Sequence, residues 1–156
     1  MEPVLASVQS PAEAAAEQTL LAVGTDDGSI SLINYTRGKV GQRLQHLTGL
    51  HKGSIRSVAF SPNARFLACT SDDHSVSIVD IKTCLRVQHL DELHTDQVNS
   101  VAWSPDSSRL LVGCQDGTAS IVNAANGDRL HHLTGFHEDF VKSVAYSADG
   151  LSLIHI

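Results

Sequence analysis

The chain has 156 residues, 42% of them hydrophobic, which is enough for the core of one soluble domain. Eleven basic against 17 acidic residues leave a net charge of −6 with no basic stretch, so no nucleic-acid partner is expected. Apolar runs such as Leu20-Leu21-Ala22-Val23 fall far short of the ~18 residues of a membrane-spanning helix, so no membrane insertion is expected. Met1–Ser10 lacks the basic start and apolar core of a secretory signal.

In chain order, the first segment is the least regular. Ser7-Val8-Gln9-Ser10-Pro11 matches a Ser-Val-Ala-aromatic-Ser-Pro segment that recurs downstream, with the aromatic deleted. Ala12–Glu17 reads as an inserted loop, Gly24-Thr25-Asp26-Asp27-Gly28 as a hairpin turn, and Tyr35–Gly41 as a connection carrying a three-residue insertion. The next stretch is clearer. Strands are expected at Ile55–Phe60, Phe66–Thr70, Val76–Asp80 and Leu85–Leu90, separated by the turns Ser61-Pro62-Asn63-Ala64 and Ser71-Asp72-Asp73-His74. The same order returns at Val98–Trp103, Arg109–Gly113, Ala119–Asn123 and Arg129–Leu133, with turns at Ser104-Pro105-Asp106 and Gln115-Asp116-Gly117. A last strand begins within Gly150–Ile154.

The order is periodic. Ser57-Val58-Ala59-Phe60, Ser100-Val101-Ala102-Trp103 and Ser143-Val144-Ala145-Tyr146 start at intervals of 43 residues, as do His51, His94 and His137. A period of this length marks a repeat architecture, in which each unit buries its apolar face only against its neighbours. Four short strands per period predict an all-β array, divided into units 1–47, 48–90, 91–133 and a partial 134–156. The natural chain is expected to be longer. The tail Leu151–Ile156 resembles the translated start of a common sequencing-adapter sequence, and its last few residues are expected to be foreign.

These units resemble the WD40 repeat family, from about Val4 to Ile154. That family's unit opens with His, runs through Val-x-x-Val-x-aromatic-Ser-Pro-Asp, and closes with Asp-x-(Ser/Thr)-Val-x-Ile-Trp-Asp. The second unit supplies His51, Val58, Phe60, Ser61, Pro62, Asp73, Ser75, Val76, Ile78 and Asp80; the third supplies His94, Val98, Val101, Trp103, Ser104, Pro105, Asp106, Asp116, Thr118 and Ile121. The family's closing Trp is replaced by Ile33, Val79 and Val122, and its final Asp survives only as Asp80, with Asn34 and Asn123 elsewhere. The resemblance implies an all-β fold of WD40-type β-propeller blades, each of four antiparallel strands, incomplete at about three and a half blades. It also implies structural His–Asp pairs, His51 with Asp73 and His94 with Asp116. Ile78-Val79 and Ile121-Val122 are continuous apolar pairs, as expected where a strand is covered on both faces.

No Gly-x-Ser-x-Gly elbow, phosphate loop or paired-carboxylate pattern is present, so no catalytic residues, cofactor or metal are expected. His46, His89 and His132 also recur at one phase, and His131-His132 has no third ligand in its spacing. Cys69, Cys84 and Cys114 show no CxxC spacing and are read as reduced, buried thiols of an intracellular, cytoplasmic protein. Beside the repeated histidines, Lys52, Thr95 and Glu138, then Ser54, Gln97 and Phe140, then Arg56, Asn99 and Lys142 vary between units. The resemblance places them on one rim of the ring, a candidate surface for other proteins. The function expected is a non-catalytic protein–protein interaction scaffold. The alternatives are a structural subunit of a fixed cytoskeletal, ciliary or coat assembly, or the regulatory region of a longer enzyme.

Overall fold

The computed structural model describes residues 3–9, 19–36, 41–149 and 153–155. Fourteen strands follow one another: β1 (Val4–Gln9), β2 (Thr19–Gly24), β3 (Ile30–Asn34), β4 (Gln42–Leu47), β5 (Ile55–Phe60), β6 (Phe66–Ser71), β7 (Val76–Asp80), β8 (Leu85–Leu90), β9 (Val98–Trp103), β10 (Arg109–Cys114), β11 (Ala119–Asn123), β12 (Arg129–Leu133), β13 (Val144–Tyr146) and β14 (Leu153–His155). Among the described residues there is no helix. Consecutive strands pair antiparallel into three four-stranded sheets, β1–β4, β5–β8 and β9–β12, and one two-stranded sheet, β13–β14. The first strand of each sheet lies beside the first strand of the next, so the sheets stand side by side as blades of an incomplete β-propeller.

The cores lie between blades. Leu32, Ile55, Val58, Leu67 and Val79 fill the space between the first two sheets; Ile78, Val98, Trp103, Leu110 and Val122 fill the next; Leu111, Ile121, Val141 and Val144 fill the third. Val79 therefore faces one neighbour and Ile78 the other, and Val122 and Ile121 divide in the same way. Hiding one such side chain is worth about 1.5–3 kcal/mol, which explains why Val79 and Val122 serve where a Trp is usual. Trp103 stacks on Phe66 at 6.2 Å and donates its indole N–H to the Ala59 carbonyl at 2.9 Å, joining the second and third sheets. Asn in place of Asp at the strand-three ends keeps the turn contact. Asp80 Oδ1 accepts the Lys82 N–H at 2.9 Å, and Asn34 and Asn123 accept those of Thr36 and Ala125 at 2.8 and 2.9 Å.

Pairing corrects the sequence reading of the first unit. Val4, Leu5, Ala6 and Ser7 face Gly24, Val23, Ala22 and Leu21, just as Ser57, Val58, Ala59 and Phe60 face Thr70, Cys69, Ala68 and Leu67. Ser7 thus holds the aromatic position, three residues on from the Ser57 position to which the sequence match assigned it. A strand's register follows the residues it must turn toward its neighbour, and a local identity cannot override that. The insertion at Ala12–Glu17 and residues 37–40 of the Tyr35–Gly41 connection lie outside the described residues, as do 150–152 of the last expected strand. Cys84 is a second correction: it is half-buried, whereas Cys69 and Cys114 are buried, and no disulfide joins the three.

Each outermost strand carries one extra residue. Leu32 and Ile33 pair with Gln45 and Arg43, skipping Leu44; Ile78 and Val79 skip Val87, and Ile121 and Val122 skip Leu130. All three skipped side chains are exposed.

Candidate functional site: the histidine–aspartate turns and the adjoining rim

The turns between second and third strands are built alike. Asp27, Asp73 and Asp116 each accept the backbone N–H two residues on, at 3.0, 3.1 and 2.9 Å. The residue between has a positive φ, 79° at Gly28, 71° at His74 and 82° at Gly117. Glycine fits that geometry, and His74 does so under strain.

The histidine preceding each of two blades reaches its turn. His51 Nδ1 lies 3.2 Å from Asp73 Oδ1 and 2.9 Å from Ser75 Oγ, while Nε2 lies 3.3 Å from Cys69 Sγ. His94 Nδ1 lies 3.5 Å from Asp116 Oδ2 and 3.1 Å from Thr118 Oγ1. Its Nε2 is buried with no partner among the described residues. Val112 occupies the place that Cys69 holds in the preceding blade and offers no polar atom. His137, by contrast, is exposed.

Burial lowers the pKa of His51 and of His94, and the neighbouring carboxylates oppose it without reversing it. Burial works to raise the Asp73 and Asp116 carboxyls, yet the Ser75 hydroxyl and Lys52 N–H hold Asp73 at about 2, and the Thr118 hydroxyl and N–H hold Asp116 at about 2. Burial pushes the Cys69 thiol up to about 12 and the Cys114 thiol to about 11. Cys69, His51 and Asp73 therefore stand in the order of a nucleophile, base and carboxylate, but the thiol is sealed and protonated, the reverse of an activated group. The contacts instead tie each blade's loop to its turn.

A further set behind the histidines is a repeat that the sequence reading passed over. Arg43, Arg86 and Arg129 recur every 43 residues, three positions before His46, His89 and His132. Arg86 donates to the Leu50 carbonyl at 2.9 Å, and Arg129 donates to that of Leu93. His46, His89 and His132 bond Ser31, Ser77 and Ser120 at 3.1, 3.0 and 3.2 Å. The equal spacing of the arginines was the available signal.

The nine variable positions divide. Lys52, Thr95, Glu138, Phe140 and Lys142 are exposed. Ser54, Arg56, Gln97 and Asn99 are half-buried and bridge blades. Ser54 Oγ donates to the Asp26 carbonyl at 3.3 Å, Arg56 pairs with Asp72 and bonds Gln97 Oε1 at 3.2 Å, and Asn99 Nδ2 donates to the Val141 carbonyl at 3.1 Å. Variation along the sequence thus covers two different roles.

Four-stranded blades stacked on shared cores, with loop histidines bound to turn aspartates, define a WD40-type β-propeller. Residues 6–148 match the family described as NUP159/214 beta propeller, and the chain belongs to that family. It is also similar to WD repeat-containing protein SL1-17 of Schistosoma mansoni, 40% identical over 62 residues. That match covers 40% of this chain and 19% of the relative, so the chain aligns with about a fifth of the relative's length.

Proposed function

We propose that this chain is a non-catalytic, intracellular protein-interaction scaffold, and that its partner docks on the rim around Lys52, Thr95, Glu138, Phe140 and Lys142. One observation carries the reading: Phe140 is 53% exposed. The other units place Ser54 and Gln97 there, both half-buried and bonded to a neighbouring blade. An exposed aromatic on a rim is a common binding anchor. WD40-type propellers are generally non-catalytic scaffolds, and the buried Cys69 beside His51 is held protonated rather than activated. Among the described residues no helix is long and apolar enough to cross a membrane. The test compares capture of cellular proteins by the chain and by its Phe140→Ala variant, alongside their unfolding midpoints. The expected result is a binding loss of ~2 kcal/mol or more with an unchanged midpoint. Unchanged capture together with a lowered midpoint would place Phe140 in the scaffold and overturn the reading.

A further inference from the structure

We propose that His94, Cys114 and Asp116 form a binding site for a transition-metal dication of borderline softness, Zn²⁺ above all, at the loop end of the third blade. The imidazole, thiol and carboxylate donor atoms all lie within 4.8 Å of one another. A tetrahedral shell with metal–nitrogen, –oxygen and –sulfur bonds of ordinary length sets its ligands about 3.3–3.7 Å apart. His94 Nδ1 and Asp116 Oδ2 already stand at 3.5 Å. The other pairs, none wider than 4.8 Å, would have to draw in by about an ångström at most. Nothing in the sequence spacing announces this set, because His94 precedes the blade while Cys114 ends β10 and Asp116 lies in the turn that follows it.

Comparison with the second blade isolates what is special. Ser71 Oγ there donates to the Gly53 carbonyl at 2.9 Å and accepts the Asp73 N–H at 3.2 Å. Cys114 Sγ makes the same two contacts, to the Asp96 carbonyl at 3.3 Å and from the Asp116 N–H at 3.4 Å. Both blades hold a histidine and an aspartate at this turn, but only the third puts a sulfur at the head of the turn, the second blade's Cys69 lying instead on the Nε2 edge of His51. The hydroxyl yields a bonded turn and no more. The thiol turns the same geometry into the nitrogen, sulfur and oxygen set that zinc favours. His94 and Cys114 are buried while Asp116 reaches the surface, which gives the ion a way in. On binding, the Cys114 S–H bond breaks, its proton passes to solvent, and a sulfur–metal bond forms. The thiolate and carboxylate then balance the dication's two charges, His94 Nδ1 donates its lone pair, and water takes the fourth position.

The experiment is titration of the 156-residue chain with Co²⁺ followed by Zn²⁺, with far-ultraviolet circular dichroism to confirm folding of each variant. A single equivalent of Co²⁺ is expected to raise a thiolate-to-cobalt charge-transfer band and the visible bands of a four-coordinate ion, all removed by Zn²⁺. Cys114→Ser recreates the Ser71 turn and so keeps the fold; it should abolish the charge-transfer band, whereas Cys84→Ser should leave it intact. Asp116→Asn should weaken Co²⁺ binding by about tenfold or more, no less than the loss of an outer-shell partner. A wild-type chain without the band, a Cys114→Ser chain that retains it, or unchanged affinity in Asp116→Asn would each overturn the assignment.

Discussion

His51 Nε2 and Cys69 Sγ meet at 3.3 Å inside the second blade, whereas the same register in the third blade holds Val112, and the buried His94 Nε2 has no partner among the described residues. Val112→Thr keeps the shape of the side chain and adds a hydroxyl at that spot. We expect it to raise stability by about 0.5–1.5 kcal/mol, read as a higher urea midpoint. Val122→Thr, which puts a hydroxyl into the apolar core between the second and third sheets, should lower it. Equal losses at both sites would show that the His94 edge needs no bond.

The turn strain at His74 has a remedy written into the other blades. Gly28 and Gly117 stand at the equivalent position, and His74 keeps a φ of 71° with a side chain attached. His74→Gly should stabilise the chain by up to about 1 kcal/mol, the relief of left-handed strain exceeding the added freedom of the unfolded glycine. Gly117→Ala should act in the opposite sense, since its new Cβ would lie 3.3 Å from the Asp139 carbonyl oxygen. Thermal unfolding of the two variants side by side checks both signs.

Removing either partner of the His94–Asp116 contact should cost roughly 1–3 kcal/mol by leaving the other unsatisfied. The double variant His94→Ala/Asp116→Ala should cost less than the sum, because the two share one interaction. A double-mutant cycle in urea measures the coupling, and strict additivity would mean that the two residues do not support each other.

Acid should unfold the protein in two stages. His51 and His94 titrate in the fold below their ordinary 6.5, so the unfolded chain binds more protons as the pH drops past that value. Their contribution is complete above 6.5 and erodes below it. Asp73 and Asp116 sit near 2 in the fold against an ordinary 3.8, so their contribution is complete above 3.8 and fades between 3.8 and 2. Urea midpoints from pH 7 downward should decline along both limbs. The first should be shallower in His51→Gln/His94→Gln, and an unchanged first limb would contradict burial as the controlling force.

Arg56→Glu should destabilise the fold. It replaces a cation that Asp72 and Gln97 both hold with a carboxylate facing Asp72. Lys52→Glu, a few residues earlier and exposed, should leave the unfolding midpoint nearly unchanged.

Much of this architecture is readable from the chain because each strand is bounded by residues whose backbone preferences are strong. Ser61-Pro62-Asn63 and Ser104-Pro105-Asp106 end strands wherever they stand, and Ile78-Val79 announces a strand pressed between two neighbours. The first unit misleads because its Ser-Pro likeness is local, while pairing to β2 depends on Leu5 and Ala6 reaching the right faces. The double nature of the variable positions is hidden for a related reason. Arg56 and Gln97 lie 41 residues apart, and only the packing of adjacent blades makes them neighbours. His94, Cys114 and Asp116 likewise converge through a loop folding back over a hairpin.

The skipped residues Leu44, Val87 and Leu130 set the direction in which such an assembly can grow. The outer strands β4, β8 and β12 each present a sheet edge to solvent, and a straight edge invites a strand from another molecule. A single extra residue near the middle throws the two halves of the edge out of step, so an incoming strand could match one half but not both. Addition at the perimeter is thereby discouraged, whereas the faces between sheets accept another blade through buried side chains and a few bonds such as Ile55 N–H to the Thr25 carbonyl at 3.0 Å. The protein extends around its axis and resists spreading outward from it.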